Sequence, residues 1–213
     1  MTVPASQVAK PRLLILDAMR GLAIVIMIID HLLASLESLG IESNFVEYSR
    51  LSATRFSMPL FMIASGIAWR LYGLRFTRWT QVVVWALVIN LLTRALWPDF
   101  NFPEILAIWA ALAIAWKLFT RFPIITIIIG YTQATYWQIP WQGFQPGELA
   151  IFLGIGALLS RSSLDSLWRE PRTSKLVKPL SVVGRYPLTI YGSHLIVITL
   201  IVGTINNKFT SLF

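Results

Sequence analysis

Long apolar blocks, broken by short polar connections, run through the whole chain. They predict seven helices, over about Leu13 to Leu36, Ser52 to Leu74, Arg78 to Leu96, Pro103 to Phe119, Pro123 to Trp137, Gly147 to Leu159 and Ser181 to Ile205. A bilayer crossing takes ~20 residues, so the fifth and sixth blocks are short for one. Pro98, Pro103, Pro123, Pro140, Pro146 and Pro171 stand near the predicted ends, where helices start and stop. Trp97, Trp137 and Trp141 also fall near ends, as in an aromatic belt at the membrane surface. No soluble linker, internal repeat or low-complexity tract interrupts the pattern. It predicts an all-α, polytopic integral membrane helix bundle of about seven transmembrane helices, with residues 1–213 forming a single domain.

Composition agrees with a membrane protein. Apolar residues make up 56% of the 213 positions and charged residues 13%, against ~45–50% and ~25% in soluble domains. Cysteine is absent, which excludes disulfides, a thiolate nucleophile and a thiolate metal site. The net charge of +8 would suit a nucleic-acid partner, but the basic residues are scattered between apolar blocks rather than gathered on a soluble domain. They read instead as topology signals. Lys10 and Arg12 precede the first helix. Arg70, Arg75 and Arg78 fill the second connection, Lys117 and Arg121 the fourth, and Arg161, Arg169, Arg172, Lys175, Lys178 and Arg185 the sixth. The first connection mixes Glu37, Glu42 and Glu47 with Arg50 and Arg55, the third sets Arg94 against Asp99 and Glu104, and the fifth has no basic residue. Basic excess alternates with the loops, which predicts a cytoplasmic N-terminus, an external C-terminus and a multi-pass protein of the cytoplasmic membrane. A cleaved signal peptide is the competing reading of the first block. Asp30-His31 inside it and the lack of a small-residue cleavage site argue against that.

The chemistry concentrates in the first helix, Asp17-Ala18-Met19-Arg20-Gly21 through Asp30-His31. Ionisable groups in a spanning helix are costly and mark functional sites by default. His31 lies ~21 Å along the helix from Asp17, which puts Asp17 and Arg20 near one interface and Asp30 and His31 far from it. At ~100° per residue, Asp17, Arg20 and His31 fall on one stripe, while Asp30 projects roughly 100° away. The plainer readings are an interfacial Asp17–Arg20 ion pair and a helix-contact histidine. The chain's other histidine, His194, closes the segment Gly184-Arg185-Tyr186-Pro187-Leu188-Thr189-Ile190-Tyr191-Gly192-Ser193 and would serve equally as an interhelical hydrogen-bonding group. Arg55, Glu104 and Glu148 read most simply as charges of loops or helix ends.

These residues resemble a known family. Leu16-Asp17-Ala18-Met19-Arg20-Gly21-Leu22-Ala23 followed by Asp30-His31 is similar to the first helix of the transmembrane acyltransferase superfamily. Arg55-Phe56-Ser57-Met58-Pro59-Leu60-Phe61 through Gly66 resembles the second helix of its heparan-α-glucosaminide N-acetyltransferase-like branch. Gly184-Arg185, Leu188-Thr189-Ile190-Tyr191 and His194 resemble the closing helix of several branches. The resemblance implies transfer of an acyl group, usually acetyl, from cytoplasmic acetyl-CoA to a sugar hydroxyl or amine reached from the other side, with no metal. By position it makes His31 the catalytic residue, as a base or as an acyl carrier.

The residues fit that chemistry. Acyl transfer from a thioester needs a base for the acceptor and a donor for the developing oxyanion. Asp30 would orient the imidazole, Asp17 and Arg20 would organise the entrance, and Arg20, Arg70 and Arg185 would pair with CoA phosphates. His194, Tyr191 and Arg55 are further candidates. No Gly-rich nucleotide motif is present, so a CoA site would be assembled from helix ends. Many relatives carry ten or more helices, and Trp109 stands where a small residue is expected and would close a pocket. A second expectation is therefore a non-catalytic, acyltransferase-like subunit, packed in a homo-oligomer or a larger membrane complex with lipid between. A proton-coupled transporter is a third, weakened by the lack of a broken-helix pair in an inverted repeat.

Overall fold

Hydrocarbon offers an unpaired peptide group no water, so long apolar segments satisfy their backbone internally as helices. The computed structural model describes residues 13–41, 43–96, 105–137, 145–160, 175 and 177–210. Among these residues the only regular structure is helical. The elements are α1 Leu14–Ser38, α2 Asn44–Tyr72, α3 Phe76–Leu96, α4 Ile105–Ile114, α5 Trp116–Arg121, α6 Pro123–Tyr136, α7 Pro146–Leu159, α8 Val177–Arg185 and α9 Pro187–Thr210. The all-α class thus holds. Among the described residues four helices are long and apolar enough to cross a membrane: α1, α2, α3 and α9.

The structure departs from the sequence reading at several boundaries. α2 starts eight residues earlier than expected, because Ser43 caps it by accepting from the Val46 N–H at 3.2 Å and Glu47 sits in its first turn. The fourth predicted helix is broken at Ala115, which separates α4 from α5. The last is broken at Tyr186, since the residue before a proline is pushed out of the helical region and Pro187 begins a new helix. Pro123 and Pro146 do start helices. Pro98, Pro103, Pro140, Pro171, Trp97, Trp141 and Glu104 lie outside the described residues. Glu148 is a helix-end charge, as read: its carboxylate accepts from the Gln145 N–H at 2.8 Å and completes a capping box on α7.

Glycines set how closely the helices approach. Without a hydrophobic drive between helices in lipid, small residues that let backbones touch are what hold a bundle together. Gly21 of α1 lies against the Leu180 carbonyl and Gly184, and Gly184 of α8 against the Asp17 carbonyl, so any side chain at either position would overlap backbone. Gly66 of α2 and Gly156 of α7 play the same part against Leu153 and Ile63. These two crossings, α1 on α8 and α2 on α7, frame the interior. Between them lies a buried apolar cluster that includes Met27, Met58, Met62, Trp69, Trp109, Leu153 and Tyr191. Gly73, at φ +73°, ends α2 and turns the chain toward α3.

Candidate active site

The start of α1, the end of α2, the start of α3 and the α8–α9 break meet at one end of the bundle, around a cavity of about 380 Å³. Its polar lining is Asp17, Arg20, Arg75, Arg78 and Arg185, with Ser65 deeper in. Asp17 is only 4% exposed and pairs with Arg20 at 3.7 Å, one helical turn on. The inner lining is apolar and aromatic: Met27, Met58, Met62, Trp69, Trp109 and Tyr191. The tight α1–α8 crossing is what brings Arg185 beside Asp17, because Gly184 packs directly on the Asp17 carbonyl. Met27 stands seven residues after Arg20 and four before His31, so the predicted stripe of α1 runs along the cavity toward the imidazole.

Beyond Tyr191 the two histidines meet. His31 Nδ1 lies 2.9 Å from His194 Nε2, although 163 positions separate them in sequence. The ring planes lie 19° from parallel with centroids 5.1 Å apart, the spacing of two imidazoles joined edge to edge through facing nitrogens. His194 Nδ1 is 3.0 Å from the Ile190 carbonyl oxygen, one turn back on α9. Tyr191 packs edge-on against both, 6.2 Å from His31 and 5.3 Å from His194. Tyr191 therefore separates the cavity it lines from the imidazole pair it touches.

The other expected residues go elsewhere. Asp30, expected to orient His31, instead accepts from Thr54 Oγ1 of α2 at 2.8 Å, and Thr54 also reaches the Arg50 carbonyl at 3.1 Å. The 100° offset between neighbours on a helix turns Asp30 toward α2 while His31 faces α9. The partner at His31 Nδ1 is His194. Arg70 is exposed and donates to the Thr120 carbonyl at 3.2 Å, joining α2 to α5 outside the cavity lining. Arg55 is exposed and also stands outside the lining. In Arg70's place the cavity is lined by Arg75 and Arg78. The signal that could have singled them out was Gly73, whose turn redirects the chain after Arg70. Trp109 does not fill the space: it donates from Nε1 to Ser65 Oγ at 3.3 Å, meets Trp69 edge-on at 5.0 Å and forms one wall of the cavity.

At the opposite end a charge pair joins α1 and α2. Arg50 of α2 forms an ion pair with Glu37 of α1. Ser35 donates to the His31 carbonyl at 2.7 Å. Chemically, the cavity offers cations at a mouth and an apolar passage that ends on Tyr191, with the imidazole pair on the far side of that ring. That order suits an anionic ligand with a long neutral arm and a reaction needing a proton acceptor.

Comparison with known families finds a match. Residues 12–155 match the catalytic domain described as heparan-alpha-glucosaminide N-acetyltransferase. The span contains Asp17, Arg20, Asp30 and His31 and ends before α8 and α9, which supply Arg185, Tyr191 and His194. No curated protein and no solved structure matches the chain.

Proposed function

We propose that this chain, which belongs to the heparan-α-glucosaminide N-acetyltransferase catalytic family, is an integral membrane acyltransferase. It moves an acyl group, acetyl first, from acyl-CoA to a sugar hydroxyl or amine. The observation that carries the proposal is the single cavity joining Arg20, Arg75, Arg78 and Arg185 at its mouth to Tyr191, with the His31–His194 pair packed on that tyrosine. Arginine forks suit the phosphates of CoA, and the apolar passage suits the pantetheine arm. His31 takes the proton of the acceptor as its oxygen or nitrogen attacks the thioester carbonyl.

The same arrangement favours one orientation. Arg75, Arg78 and Arg185 of the cavity, with Arg70, Lys117 and Arg121, fall on the connections where basic residues are in excess, and a basic excess faces the cytoplasm. Donor would enter from that side. Acceptor would approach the imidazole pair from the side of Glu37 and Arg50. The N-terminus would be cytoplasmic, and the shorter helices α4 to α7 would complete the seven predicted crossings in the cytoplasmic membrane.

The test is transfer of radiolabelled acetyl from acetyl-CoA to amino-sugar and sugar acceptors by the purified protein in proteoliposomes. Turnover that disappears in His31→Ala, with the protein still inserted, supports the reading. Absence of turnover and of CoA binding by calorimetry, together with stable copurification in a larger membrane assembly, would replace it with the subunit reading.

A further inference from the structure

A neutral imidazole carries one N–H and one lone pair, so two hydrogen-bonded imidazoles in line have only two proton arrangements. A group at one end that can only accept selects between them. The Ile190 carbonyl is such a group. Standing 3.0 Å from His194 Nδ1, it requires that nitrogen to carry the proton and donate. The lone pair of neutral His194 is then on Nε2, which faces His31 Nδ1 at 2.9 Å. His31 must donate across that contact. Its one proton is thereby committed to Nδ1, and its Nε2 is left as the bare, basic nitrogen.

We propose that His194 is a positioning residue that fixes the tautomer of His31, and that the Ile190 carbonyl sets the order of the pair. The geometry leaves Asp30 out of this role, because its carboxylate is turned to Thr54. Ring orientation is held as well as proton position. The imidazole planes are within 19° of each other across the hydrogen bond, and Tyr191 closes on both edge-first. A backbone carbonyl does not ionise, so the order it imposes does not depend on the charge of a neighbouring side chain.

The tautomer is independent of any reaction; only the use made of Nε2 rests on the acyltransferase reading. On that reading the acceptor O–H or N–H bond breaks as its proton passes to His31 Nε2. The acceptor atom bonds to the acyl carbon, the C–S bond of the thioester breaks, and the resulting imidazolium returns the proton to the leaving thiolate. The pair finishes as it began. Throughout, His31 Nδ1–H stays on His194 Nε2, a contact that strengthens while His31 carries charge.

Nitrogen-15 NMR of histidine-labelled protein in nanodiscs, at mildly alkaline pH, reads the tautomer directly. The wild type should show His31 protonated at Nδ1 and bare at Nε2. His194→Gln, whose amide oxygen can accept in place of Nε2, should keep that state, and His194→Leu should release or reverse it. Where transfer is measurable, His194→Leu should lower kcat on the order of 100-fold or more, with the donor KM held, while His194→Gln recovers most of it. A proton on Nε2 of wild-type His31, or an unchanged tautomer in His194→Leu, would overturn the proposal. Should the leucine variant fail to fold, the glutamine variant decides, since a reversed His31 there counts against it and a retained one for it. A wild type with the expected tautomer but no transfer would remove the acyltransferase reading and leave the tautomer assignment standing.

Discussion

The two ends of α1 carry similar residues and use them differently. Near its start, Asp17 and Arg20 face a shared space in which Arg75, Arg78 and Arg185 join them. Two turns before its end, Asp30 and His31 are each taken by a partner from a different helix, Thr54 of α2 and His194 of α9. The first arrangement has an excess of cations around a cavity and is built to receive something negative. The second is closed by hydrogen bonds and is built to hold groups in one orientation. An acid close to a base in sequence therefore means a shared cavity lining at one end of this helix and two unrelated contacts at the other.

The sharpest way to break this comparison is His31→Ala. Transfer should fall by about 10²–10⁴-fold, the usual contribution of a general base, while insertion and thermal stability in detergent change little. A variant with full activity would leave the far end of α1 with only a packing role. Next in size is Gly184→Val, whose side chain would overlap the Asp17 carbonyl and pry α8 from α1. A loss of about 1–3 kcal/mol is expected, read as a lower melting temperature together with weakened donor binding, because Arg185 moves with the helix. Unchanged melting would contradict the close crossing. Arg75→Gln and Arg78→Gln should each raise the donor KM by about tenfold, as loss of a charged hydrogen bond predicts, with kcat held. Arg70→Gln should leave KM alone, since its guanidinium is spent on Thr120. Equal effects at 70 and 75 would erase the distinction between mouth and scaffold. The smallest effect is expected from Thr54→Val, about 1 kcal/mol of stability and no change in transfer. A large loss of kcat there would return Asp30 to the reacting centre.

Much of this was legible in the chain, and the limits have physical causes. The stripe from Asp17 through Arg20 to His31 follows from the 3.6-residue period alone, and the structure keeps it, with Met27 filling the gap. The same period gave the divergence of Asp30 from His31, though not that Thr54 would meet it. The meeting of His31 with His194 depends on how α9 lies against α1, and no local rule connects residues 163 positions apart. The choice of Arg75 and Arg78 over Arg70 turns on one glycine at φ +73° and on where α5 offers a carbonyl. The break before Pro187 was readable from the proline itself. The early start of α2 was readable from Ser43 and Glu47, but its first turns are polar and looked like a loop. The seven apolar blocks overstate the spans that length alone supports, because α4, α6 and α7 have 10, 14 and 14 residues.

The central claim is that donor enters among the arginines and presents its thioester to His31. A density map of the protein in nanodiscs with bound CoA tests it most directly. Phosphate density is expected against Arg20, Arg75, Arg78 and Arg185, with the pantetheine arm running past Met27 and Trp109 so that its sulfur points toward Tyr191 and the bare nitrogen of His31. Density for CoA at the Glu37–Arg50 end, or a cavity that stays empty at saturating CoA, would contradict it.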